Sequence, residues 1–128
     1  MLNSGVYGYI NILDKAIDAS WVRNTVLNNN LANATTPGFK RQEVRFESSL
    51  ETELKKLGSV DKRVTNVNLA NLAYQTYTDL SNYSYRLDGN NVDEAAEQAE
   101  LASNQIKYQA LVRALNSEFN RLKTAMTT

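Results

Sequence analysis

The stretch Asn29-Asn30-Leu31-Ala32-Asn33-Ala34-Thr35-Thr36-Pro37-Gly38-Phe39-Lys40-Arg41 decides how the chain is laid out, because it holds the only proline. Proline lacks a backbone N–H and disfavours the α region for the residue before it. Thr36 is therefore expected to be extended, with any preceding helix finished by then. Pro37-Gly38 supplies the fixed φ and the permissive φ that the two central positions of a type II turn require. A helix ends over Ala34 to Thr36, the chain turns, and it leaves in a new direction.

Upstream of this stop, Gly5 and Gly8 loosen the first turn, so the pattern predicts a helix from about Tyr9. Ile10, Leu13, Ile17, Ser20, Asn24, Leu27, Leu31 and Ala34 then recur at alternating spacings of three and four, the seam of a coiled coil. Trp21, Val22 and Val26 widen the apolar face. Ser20 and Asn24 interrupt it; a polar seam residue costs stability and can fix register. Asn24 facing solvent is the other reading, and the sequence leaves both open. From Tyr9 to Asn33 such a helix makes a rod of roughly 40 Å.

Downstream, Phe46, Leu50, Leu54 and Leu57 predict a short amphipathic helix closed by Gly58 at C′. Over 59–87, Val67, Leu69, Leu72, Ala73, Tyr77 and Leu80 allow a second short helix, while Tyr83, Tyr85 and Leu87 alternate as a strand would. Tyr74, Tyr77, Tyr83 and Tyr85 lack the interleaved cations of a nucleic-acid stacking surface and read as a half-wet contact surface. The echo of Asn30-Leu31-Ala32-Asn33 in Asn68-Leu69-Ala70-Asn71 reads as coincidence. Asp88-Gly89-Asn90-Asn91 is a turn cluster, and Asn91 with Glu94 has the form of an N-cap with its capping-box partner.

The helix that follows carries Asp93, Glu94, Glu97 and Glu100 early and Lys107, Arg113, Arg121 and Lys123 later, a gradient that suits the macrodipole. Leu101, Gln105, Tyr108, Val112, Leu115, Phe119, Leu122 and Met126 follow a 4-3-4-3 spacing without a slip. Ala102, Ile106, Ala110, Leu111 and Ala114 give the same helix a second apolar flank. A helix apolar on more than one side needs more than one neighbour. One N-terminal helix cannot cover both flanks, so the remaining neighbours are expected to be other subunits.

Composition narrows the chemistry. Lys+Arg and Asp+Glu balance at 14 each, so no net field recruits nucleic acid or an anionic membrane. With no cysteine and no histidine, the chain lacks thiolate ligands, cysteine nucleophiles and the usual general base. The pairs Asp14/Asp18 and Glu97/Glu100 sit one helical turn apart, which is routine on a solvated face. Neither a phosphate loop nor an EF-hand is present. The reading is therefore a protein without catalytic residues, cofactor or metal. No segment approaches the ~20 apolar residues of a membrane span. Met1-Leu2-Asn3-Ser4-Gly5-Val6-Tyr7-Gly8-Tyr9-Ile10 is no cleavable signal, so composition alone implies the cytoplasm. The expected fold is mainly all-α, one elongated unit over 1–128. An N-terminal helix takes 1–36, a turn and an irregular middle 37–91, and a C-terminal helix 92–128, the two long helices pairing like a coiled coil.

The opening stretch resembles the N-terminal signature of the bacterial flagellar axial proteins, the rod and hook family. Asn29, Asn30, Ala32, Asn33, Thr36, Pro37, Gly38, Phe39 and Lys40 carry the match; Thr35 stands where asparagine is common, and Phe39 where tyrosine is also usual. Asp88-Gly89-Asn90-Asn91-Val92-Asp93 and Asn104-Gln105-Ile106-Lys107-Tyr108-Gln109-Ala110-Leu111-Val112-Arg113-Ala114-Leu115-Asn116 are similar to the C-terminal signature of its proximal-rod members. In residues 42–87 the resemblance has no motif to quote. The resemblance implies a structural rod subunit that polymerises through its terminal helices and passes torque from motor to hook and filament. It also implies export through the type III channel without a cleaved signal, and residence in the periplasmic rod. The implied partners are further copies of itself, the sister rod protein FlgC, the distal rod proteins, the adaptor FliE and the MS ring. The motif residues and the seam residues would make those contacts. Two other readings stand beside this one: another rod protein such as FlgC, and a soluble helical adaptor that binds one partner helix.

Overall fold

The structure, a computed structural model, describes residues 4–56, 58–59, 64, 66–80 and 86–127, with side chains from residue 6. Two long helices dominate it: α1 (Ser4–Ala32) and α3 (Glu94–Thr127). Between them come strand β1 (Gln42–Arg45), helix α2 (Glu47–Lys55), a 3-10 turn (Leu69–Leu72) and strand β2 (Gln75–Thr78). The fold is mainly α-helical, as its periodicity requires. α1 and α3 run antiparallel, since Ser20 meets Asn104 while Asn30, further along α1, meets Glu97, earlier on α3.

The α1 seam faces α3. Leu13 and Leu27 are buried along it, each worth about 1.5–3 kcal/mol of apolar transfer. Ser20 is 1% exposed and donates its hydroxyl proton to Asn104 Oδ1 at 3.0 Å, while Asn104 Nδ2 donates to the Ser20 carbonyl at 2.9 Å. Asn24 belongs to the seam and not to the solvent face: its Oδ1 is buried and accepts no hydrogen bond. A reciprocal polar pair at one seam position fixes how far the two helices slide past each other.

A second core lies on the neighbouring stripe of α1. Ile12 and Ala19 close over Phe46 and Leu72, with Ala16, Leu50, Val64, Val67 and Leu69 packed against them. The middle of the chain thus supplies a neighbour for α1 that its periodicity alone did not reveal. Trp21, expected to widen the apolar face, is instead 61% exposed and tilts its ring against Tyr108 at 6.2 Å.

Several local expectations fail for identifiable reasons. Helix α1 starts at Ser4 and runs through Gly5 and Gly8, although glycine costs a helix about 1 kcal/mol per residue relative to alanine. Helix α2 closes at Lys55, where the Lys56 N–H donates to the Glu53 carbonyl, short of Gly58. The second short helix shrinks to the 3-10 turn, capped by the Asn68 side chain accepting from the Ala70 N–H. Gln75–Thr78, with threonine and tyrosine favouring a pleated surface, pairs antiparallel with β1 instead of coiling. The alternation at Tyr83 and Tyr85 falls outside the described residues. Asn91 does not cap α3; Asp93 does, accepting from the Ala96 N–H at 3.2 Å. The last turn of α3 holds no basic residue, so the macrodipole is complemented at its start alone.

Candidate functional site

The two signatures meet, although about fifty residues separate them. In the first, Gly38 takes φ +73° and the Phe39 N–H donates to the Thr36 carbonyl at 3.2 Å, the type II turn expected of Pro37-Gly38. In the second, Gly89 takes φ +75° and its N–H donates to the Arg86 carbonyl. The turns dock through backbone: Gly38 N–H donates to the Asp88 carbonyl at 2.7 Å, and Asn91 N–H to the Phe39 carbonyl at 3.4 Å. Lys40 Nζ adds a bond to the Gly89 carbonyl at 2.6 Å. A side chain at either glycine would meet open space or ordinary contact, so their left-handed backbone is the constraint, not crowding.

Four side chains tie this junction to the helices. Asn90, 1% exposed, points Nδ2 at the carbonyls of Asn33, Ala34 and Thr36, all within 3.0 Å, and accepts the Val92 N–H on Oδ1. These carbonyls belong to the turn that follows α1, and Asn90 gathers three of them on one amide. Arg86 Nη1 donates to the same Ala34 carbonyl. Asn30, fully buried, donates to the Gln42 carbonyl at 2.9 Å and accepts the Gln42 N–H at 3.0 Å, so its amide pairs the outer edge of β1 as a strand would. Asn91 is inserted in the ladder between β1 and β2: its Oδ1 accepts the Arg41 N–H and its Nδ2 donates to the Asp79 carbonyl.

Charge is concentrated beneath these amides. Glu97, 2% exposed, accepts from Arg41 Nε at 2.6 Å and from Asn30 Nδ2 at 3.0 Å. Arg41 also donates to Glu43 and to Asp79. Burial works against the guanidinium charge, but its bonds to Glu43, Glu97 and Asp79 outweigh that and hold its pKa above the ordinary arginine value. Burial likewise opposes the charge on Glu43, and bonds from Tyr77 and Arg41 overcome it, leaving that carboxyl below its usual range. At the flank, Arg23 donates to both Glu47 oxygens, at 2.7 and 2.6 Å, and Lys107 reaches Oε1 at 2.9 Å. The Arg23 bond, the largest cause, helped by Lys107 against burial, draws the Glu47 pKa down to about 2.

The residues expected to make external contacts divide. Asn30 faces inward with both amide atoms engaged, and Asn33 is half-buried and bonds back to Asn29. Asn29, Ala32, Thr36, Pro37 and Gly38 are exposed, and Phe39 and Lys40 half-buried. On the seams, Leu13 and Leu27 are buried, while Ile10, Ile17, Leu31, Leu101, Tyr108, Val112, Leu115 and Leu122 are half-buried. Phe119 and Met126 are 50% and 85% exposed. Asn90, Asn91, Arg41 and Glu97 were not singled out by sequence as joining residues; the one available signal was an Asn-Asn pair beside the Asp-Gly turn. Among the described residues no group of acidic side chains is arranged to hold a metal, and no helix is long and apolar enough to cross a membrane.

No family model matches the chain. It is 38% identical to the flagellar basal body rod protein FlgB of Bacillus subtilis (strain 168), with 94% of each chain covered. FlgB of Cereibacter sphaeroides is 34% identical, covering 81% of this chain and 82% of that one. FlgB of Borreliella burgdorferi is 30% identical over 86% of this chain and 89% of the other. Coverage of 94% of the chain takes in both docked signatures and most of the helices they join. The chain belongs to the FlgB family of flagellar basal body rod proteins.

Proposed function

We propose that the chain is a non-catalytic structural subunit of the proximal rod, polymerising through α1 and α3 as part of the shaft that carries torque from motor to hook and filament. The observation that carries this is the uncovered apolar surface of the helical pair. Ile106, Phe119 and Met126 on α3 are 71%, 50% and 85% exposed, and Trp21 and Tyr7 on α1 are 61% and 54% exposed. Large apolar side chains left in water along a rigid helix pair mark a surface that neighbours cover. A contact between different faces of identical subunits does not close on itself and propagates as a helix. The exposed Thr36-Pro37 turn and the segment after it would touch adjacent subunits. By family resemblance those neighbours are further copies, FlgC, the distal rod proteins, FliE and the MS ring. The chain would act as one elongated unit of the periplasmic rod, reached through the type III channel without a cleaved signal.

The test is Ile106→Asp in cells whose only copy carries the change. The variant is expected in the whole-cell fraction at wild-type level and absent from isolated basal bodies, with motility lost. Motile cells with the variant in their basal bodies would overturn the assignment of this surface.

A further inference from the structure

The two-stranded sheet has one guarded edge and one open edge. Asp79 N–H donates to the Arg41 carbonyl, which makes that pair a hydrogen-bonded one; by alternation Glu43–Tyr77 and Arg45–Gln75 are bonded too. The backbone groups of Gln42 and Val44 then point out of the ladder on the β1 side. They are taken: Asn30 covers both groups of Gln42, and Arg23 Nη2 donates to the Val44 carbonyl at 3.2 Å. On the β2 side the outward groups belong to Thr76 and Thr78, and among the described residues nothing bonds them. All four residues of β2 are exposed. Gln75-Thr76-Tyr77-Thr78 is short, at 4 residues, but contains no charge, no proline and no bulge, three other devices by which edge strands deter pairing.

We propose that the open edge of β2 is a strand-addition surface and that β2 of a second copy of this chain occupies it, antiparallel about a two-fold axis at Tyr77. An open edge offers one N–H and one C=O at every second residue, which extended backbone alone can match. Self-pairing fits this edge in particular. Thr76 and Thr78 of one copy exchange hydrogen bonds with Thr78 and Thr76 of the other, with no like charges opposed. Tyr77 falls opposite itself in a non-bonded pair, the closer of the two spacings, where aromatic cross-strand pairs stabilise a sheet. Each Tyr77 is already held, its hydroxyl on Glu43 and Arg45 at 5.0 Å from its ring centre. The product is a four-stranded sheet in the order β1-β2-β2-β1, above the two-strand size that is marginal in water. A two-fold contact closes on itself, so it gives a dimer and not a filament, and it stands independently of the rod assignment.

The chain has no cysteine, which makes the test clean. A non-bonded antiparallel pair sets its Cα atoms within disulfide reach. Purified full-length Tyr77→Cys is therefore expected to form a disulfide-linked dimer at least about tenfold faster than Ala95→Cys, exposed on α3, under the same oxidant. Adding Thr76→Pro to Tyr77→Cys deletes an outward N–H and leaves the β1 ladder intact, and should return the rate to that of the control. Wild-type chain at increasing concentration should pass from monomer to dimer by analytical ultracentrifugation, and Thr76→Pro should stay monomeric. Equal cross-linking at positions 77 and 95 would overturn the proposal. So would a concentration-independent wild-type monomer, the result if a different protein's strand fills the edge.

Discussion

The two ends of the helical pair are built on opposite principles. At the junction end, strand edge and turns are closed by buried amides and ions: Asn90 on the carbonyls that follow α1, Asn30 on β1, Glu97 on Arg41. At the far end, α3 carries Phe119 and Met126 into solvent, and α1 offers Tyr7 and Tyr9, 54% and 40% exposed. The junction is complete within one chain, because each buried polar group there meets a partner of fixed geometry. The far end leaves apolar side chains in water, and such surface sets no geometric demand on a neighbour. Internal fastening thus relies on directional bonds, and the surface proposed for assembly on non-directional ones.

This contrast breaks most sharply at Arg41. Arg41→Ala leaves the Glu97 carboxylate buried without its cation and should lower unfolding stability by about 3–5 kcal/mol in urea titrations. Phe119→Ser in the same assay should change it by no more than about 0.5 kcal/mol, since the ring is half in water already. Comparable losses from the two would erase the distinction between ends. Asn90→Ala, by removing the amide that gathers the Asn33, Ala34 and Thr36 carbonyls just past α1, is expected to cost about 1–3 kcal/mol. Hydrogen exchange should then speed up around residues 30–36 and leave the far end of α1 unchanged.

The smallest effect concerns pH. Glu47 is held at about 2 against an ordinary 4.5, mainly by Arg23. A depressed folded pKa contributes stability that is present above about 4.5 and lost as pH falls toward 2. Half of the Glu47 side chain is exposed, so screening keeps the contribution small. Urea midpoints measured between pH 5 and pH 2.5 should fall, and Glu47→Gln should flatten the part of that slope due to this pair. An identical slope in wild type and variant would remove Glu47 from the account.

What the sequence made legible is local. The Pro37-Gly38 turn, the Ser20 and Leu27 seam and the α2 stripe all depend on spacings of a few residues, and each appears where its spacing places it. The junction was illegible because bonds that join its two halves reach far along the chain, 50 residues from Asn91 to Arg41 and 67 from Asn30 to Glu97. Nothing in a run of asparagines says which carbonyl each amide will meet. Glu97 looked like one more acid in the first turns of a helix, and only its burial separates it from Glu94 and Glu100. The strand at Gln75–Thr78 was hidden differently: Leu72, Tyr77 and Leu80 fit a helical spacing, and a partner strand more than thirty residues away decides otherwise.

Asn90 gives the molecule a way of registering its own completeness. The turn just past the first helix is gathered by an amide that arrives only with position 90, so a polypeptide interrupted earlier has a looser stop to that helix however well its interior packs. Proteases that patrol for loose termini would find such remnants readily. Full-length chains, finished at both margins by one amide, would pass unnoticed.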